Sequence, residues 1–138
     1  ILTGQCWDRK LYKNNDYPYG IEFCDILTSQ HIIHVKKLAS SSVTSHLLLQ
    51  TSVSAFLLHF DKGIKQWIRT TSQSVFKKNL LLTIKDEFKN KDAGYIILFL
   101  TNSNKRLSES LPFFSLISIN LIIRKIVEFG YPVKICKA

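Results

Sequence analysis

The chain predicts a mixed α/β domain whose sheet begins with an antiparallel hairpin and ends in a parallel βαβ unit. Three observations predict it. Residues 21–27 and 31–37 are runs rich in β-branched and aromatic side chains separated by only Thr28, Ser29 and Gln30, the spacing of a tight hairpin. Residues 95–101, Tyr-Ile-Ile-Leu-Phe-Leu-Thr, are apolar without alternation, as in a central strand covered on both faces. Further on, a helical pattern over 119–129 stops at Gly130 ahead of a second strand over 132–137. Strand, helix and strand at that spacing make a parallel pair with a right-handed crossover.

The remaining elements follow in chain order. Residues 6–13 read as a first short strand, and Asn14, Asn15, Asp16, Pro18 and Gly20 supply the turn after it, so three antiparallel strands open the domain. Ser40 to Ser42 offer N-caps for a helix over 43–60 that presents Val43, Leu47, Leu48, Val53, Phe56, Leu57 and Phe60 for burial. A shorter helix is expected over 62–70. Residues 71–92 carry Leu80, Leu81, Leu82, Ile84 and Phe88 and lean towards helix rather than strand. A polar loop over 102–110 leads to Ser118, the expected cap of the last helix.

Composition bounds the function. A chain of 138 residues is one domain in size; its start at Ile1 and its lack of Met lead us to expect a piece of a longer protein, with the rest of that chain or a partner protein as neighbours. Nineteen Lys and Arg against ten Asp and Glu give a formal charge of +9, a field that attracts polyanions and makes nucleic acid the expected partner. Solubility alone is the competing explanation, because the lysines are spread along the chain. Three widely spaced cysteines form no zinc or Cys-x-x-Cys pattern, which suits a reduced compartment and a cytoplasmic location. The longest apolar stretch, 111–123, is interrupted by Ser115, Ser118 and Asn120 and is too short to span a bilayer, so no membrane partner is expected.

Chemistry is concentrated in Asp25, His34 and Lys36. On an alternating strand His34 and Lys36 share one face, and the hairpin returns Asp25 beside them. A carboxylate, a proton-handling group and a lysine at one sheet end resemble the restriction-endonuclease-like nucleases. That likeness implies an Asp25-held Mg²⁺ that prepares a water, with Lys36 steadying the attacking water or the developing phosphorane. His34 stands where those enzymes have Glu or Gln, and imidazole is a poorer Mg²⁺ ligand than oxygen. In the plainer reading, Asp25 ends a strand and pairs with a partly buried His34. On the following helix Ser42, His46, Gln50 and Ser54 recur every four residues as a polar stripe. His46 and Gln50, with Lys37, Arg124 and Lys125, are the expected nucleic-acid contacts.

Several segments carry a wider resemblance: 21–27 (Ile-Glu-Phe-Cys-Asp-Ile-Leu), 33–37 (Ile-His-Val-Lys-Lys), 45–50 with Ser54-Ala55, and 111–115 (Leu-Pro-Phe-Phe-Ser). In order and spacing, over roughly residues 8–135, the chain resembles the C-terminal half of a sporadically distributed, uncharacterised bacterial family. The resemblance implies mobile, conflict-related genes such as phage defence and carries no activity. Leu116 replaces a usual basic residue of that family, and 119–129 keeps only Arg124 and Lys125. Two functions are therefore expected in competition: a metal-dependent nuclease, and a non-catalytic module that binds nucleic acid or protein.

Overall fold

A computed structural model describes residues 4–72 and 93–138. Its strands are β1 (Gln5–Cys6), β2 (Leu11–Tyr12), β3 (Ile21–Glu22), β4 (Ile26–Leu27), β5 (His31–Lys37), β6 (Gly94–Leu100) and β7 (Val133–Lys137), and its helices α1 (Ser41–Phe60), α2 (Ile64–Thr71), α3 (Leu107–Ser110) and α4 (Phe113–Glu128). One five-stranded sheet has the order β1-β4-β5-β6-β7, and β2 and β3 form a separate antiparallel ribbon. β4 and β5 are antiparallel, whereas β5, β6 and β7 run parallel. The fold is thus the expected mixed α/β sheet. The helix expected over 71–92 lies, beyond Ser72, outside the described residues.

The hairpin forms where the sequence places it, because Thr28 closes the turn: its Oγ1 accepts from the His31 N–H at 2.8 Å and the Gln30 N–H at 3.2 Å. The strands expected over 6–13 and 21–27 are each broken in two. Trp7 leaves β1 to be buried edge-on against Trp67, with ring centroids 5.2 Å apart, and the chain turns there, the Lys10 N–H donating to the Trp7 carbonyl at 3.0 Å. Phe23 and Cys24 are consecutive and both buried, which an alternating strand cannot achieve. The chain therefore kinks between β3 and β4.

α1 begins as the serine run predicts: the Ser40 hydroxyl accepts from the Val43 N–H at 3.4 Å. Its buried side differs from the expected one. Leu47, Leu48 and Leu57 are buried, but Val43 and Val53 are half-buried and Phe56 and Phe60 exposed. In their place the helix buries Thr44, Thr51, Ser54 and Ala55. These small residues let the helix approach the sheet, and their hydroxyls are satisfied inside: Thr44 and Thr51 donate to carbonyls one turn back, and Ser54 meets the Tyr95 hydroxyl at 3.0 Å.

α4 starts at Phe113, six positions before the expected 119, because Pro112 with φ −57° leads directly into it. Its end is as expected. Gly130, at φ +92°, donates to the Val127 carbonyl and Tyr131 to that of Ile126, a Schellman closure that only a residue free to adopt positive φ makes without strain. α1 and α4 lie together on one face of the sheet, where Leu47, Leu48 and Ile119 pack on Ile97 and Phe99. No described helix is long and apolar enough to cross a membrane.

Candidate functional site

Because β5, β6 and β7 are parallel, their carboxyl ends share one edge of the sheet, and both long helices begin there. Lys36, Phe99 and Lys137 stand in one cross-strand row, so the two lysine Cα atoms are two strand spacings, roughly 10 Å, apart. Lys137 Nζ donates to the Ser103 and Lys105 carbonyls at 2.9 and 2.7 Å, folding the loop after β6 back onto β7. That contact brings Lys105 and Arg106 to the same rim as Lys36 and Lys37. Between the strand ends lies an open cleft of about 400 Å³ lined by Lys37, Leu38, Leu100, Thr101, Asn102 and Ala138.

The electrostatics of this rim are one-sided. Neither α1 nor α4 has an acidic residue in its first turn, so the positive ends of both helix dipoles stand uncompensated. Among the described residues the carboxylates of Glu109 and Asp25 are engaged by backbone: Glu109 accepts from the Arg106 N–H at 3.2 Å and Asp25 from the Val35 N–H at 2.8 Å.

The structure brings Asp25 to the segment the sequence pairs it with, in a structural role. Continuing the β4–β5 register, Ile26 opposite Ile33 and Leu27 opposite Ile32, would set Cys24 against Val35. The Asp25 N–H instead donates to the Ile33 carbonyl at 3.1 Å, its carbonyl accepts from the Trp7 N–H at 2.8 Å, and its carboxylate takes the Val35 N–H. The side chain thus replaces a missing ladder carbonyl. His34 lies beneath the helices with 2 % of its surface exposed, its ring parallel to that of Tyr95 at 6.2 Å. Burial, aided by the charge of Lys36, lowers its imidazole to about 4, and its buried Nε2 has no hydrogen-bond partner among the described residues. The donor set does not fit Mg²⁺, which takes an octahedral shell of oxygens: it offers a carboxylate with one oxygen committed and an imidazole sealed in the core. Among the described residues no three His, Cys, Asp or Glu gather as a metal-holding group.

The other expected contacts are dispersed. Lys37 is at the rim and exposed. His46 and Gln50 lie about 7 and 14 Å along α1 from Ser41 and line a separate cleft with Leu11, Gly20, Ile21, Glu22, Leu49 and Val53. Ser54, the last member of the polar stripe, is buried, because a four-residue repeat drifts around a 3.6-residue helix. Arg124 and Lys125 are exposed but stand about 16 Å along α4 from Phe113, towards the opposite edge. Lys105, Arg106 and Lys137 were not anticipated. The signal for them was the βαβ unit itself, since open α/β sheets place ligands outside the carboxyl ends of their parallel strands.

A family model described as a family of unknown function, DUF6119, matches residues 3–138. No curated protein and no solved structure matches the chain.

Proposed function

The chain belongs to the DUF6119 family, whose function is unknown, and we propose that it binds nucleic acid, without cleaving it, along the carboxyl edge of its parallel strands. One observation carries the reading: Lys36, Lys37, Lys105, Arg106 and Lys137 stand about two helix N-termini that have no acidic residue in the first turn, where the neighbouring carboxylates among the described residues already serve the backbone. A run of phosphates supplies the missing negative charge, accepting from lysines, arginine, serine hydroxyls and helix N-termini without reading sequence.

Affinity for labelled oligonucleotides, followed by fluorescence anisotropy across a salt series, tests it. Each duplex phosphate neutralised contributes about 0.9 to the slope of log affinity against log salt. Lys37→Gln combined with Lys105→Gln should therefore lower the slope by about 2. Absence of binding, or an unchanged slope in this variant, overturns the reading.

The antiparallel hairpin followed by a helix and parallel strands supports a restriction-endonuclease-like frame, and the approach of Asp25 to Val35, between His34 and Lys36, favours a nuclease as the second reading. Incubating DNA and RNA with the protein and Mg²⁺ or Mn²⁺ separates the two. We expect intact substrate. Cleavage that disappears in both Asp25→Asn and Lys36→Ala would establish the nuclease instead.

A further inference from the structure

Two large apolar side chains at the rim are left largely outside the core. Phe113 and Phe114, the first residues of α4, are 70 % and 78 % exposed, with ring centroids 5.7 Å apart and planes inclined at 68°. The helix buries Ser115, Ile119 and Ile126 instead, so the pair is held outward by the face the helix gives to the core. Adjacent aromatic rings in water at a cationic edge of a protein are an unusual expenditure of surface, since apolar area gains by being covered.

Their position specifies what covers them. Six residues separate Arg106 from Phe113, and four of those lie in the compact turn of α3. Lys105, next to Arg106, is tied through its carbonyl to Lys137. The loop cations therefore precede the aromatic pair by one short turn, and the pair itself forms the α4 N-terminus, which has no acidic residue in its first turn. A ligand that complements both must carry phosphates and exposed aromatic faces together. Duplex nucleic acid offers only the first, because its bases are stacked on one another. A single strand offers both, and proteins that hold single strands combine a cationic track with aromatic side chains on which bases stack.

We propose that Phe113 and Phe114 are stacking platforms for unpaired bases, so that this rim selects single-stranded over duplex nucleic acid. The inference rests on the proposed nucleic-acid binding and adds the strand state of the ligand. Ile117 and Leu121, also exposed, continue the apolar face along α4 away from Lys105 and Arg106, where the strand would leave the rim.

The test compares a labelled single-stranded oligonucleotide with the duplex of the same sequence at fixed salt. The parent should bind the single strand more tightly. Phe113→Ala with Phe114→Ala should weaken single-strand binding about tenfold or more, the scale of one stacked base, with duplex affinity, salt slope and melting temperature unchanged. Phe114→Trp should keep the affinity and Phe114→Leu should lose it, because leucine keeps the apolar area and lacks the ring. Equal affinity of the parent for both strand states, with a salt slope, overturns this inference and leaves the binding reading standing; no binding to either overturns both. A double-alanine variant that alters only self-association in light scattering also overturns it, assigning the pair to contact between copies of the chain.

Discussion

His34 is held neutral in the folded protein down to about pH 4, because burial first and the charge of Lys36 second oppose its protonation. In the unfolded chain it titrates near its ordinary value of about 6.5. Between these two values the unfolded state binds the extra proton, so stability is complete above pH 6.5 and is lost as pH falls towards 4, by about 3 kcal/mol at the lower limit. His34→Phe keeps a ring beside Tyr95 and removes the proton site. Its denaturant midpoint should lack this share of the acid sensitivity, and equal losses in parent and variant between pH 7 and 4.5 would contradict the assignment. Asp25 carries a second residue-scale expectation. Its carboxylate is the acceptor of the Val35 N–H, so Asp25→Ala should cost about 1–3 kcal/mol in denaturant melts. Asp25→Asn, which retains an oxygen acceptor, should cost less. A loss of nucleic-acid affinity without a loss of stability would mean that Asp25 serves a ligand rather than the ladder.

Among the elements, α1 and β6 carry the architecture. Leu47 is fully buried between α1 and the sheet, packed with Ile97 and Phe99, and Leu47→Ala should cost on the order of 2–5 kcal/mol. A cost below about 0.5 kcal/mol would place Leu47 outside the core. β6 begins at Gly94, whose N–H donates to the Gln30 carbonyl while the next N–H, of Tyr95, donates to that of Pro132. Gly94 has φ +134°, and a Cβ there would lie 2.4 Å from the Pro132 carbonyl oxygen. Gly94→Ala must therefore strain the backbone and push β7 away, and we expect a loss of at least about 1–3 kcal/mol, read as a lower melting temperature.

At the scale of the whole molecule, cations are present at both edges of the sheet, but their carboxylate neighbours differ. Lys62, Lys65 and Arg69 lie on or beside α2, near Asp61, while at the carboxyl edge the carboxylates of Asp25 and Glu109 serve the backbone. Replacing Lys62 and Lys65 by Gln should therefore leave the salt slope of nucleic-acid binding unchanged, in contrast to Lys37 and Lys105. Equal effects from the two pairs in anisotropy titrations would mean diffuse attraction by the net charge of +9 and no dedicated rim.

Local features are legible in the residues alone: the Thr28 turn, the serine cap of α1, the stop at Gly130 and the unalternating strand β6. Each depends on residues within a few positions of one another, so spacing and side-chain chemistry suffice to read it. The sequence also placed Asp25, His34 and Lys36 on neighbouring strand segments. Their surroundings come from long-range packing, because burial and hydrogen-bond satisfaction depend on what packs from elsewhere. α1 and α4 lie over the sheet face that carries His34, the kink before β4 turns Asp25 into a backbone acceptor, and Trp67 draws Trp7 and Phe23 out of regular strands. The same long-range packing assembled the rim from Lys36, Lys105 and Lys137, residues up to a hundred positions apart whose proximity follows from parallel pairing of β5, β6 and β7.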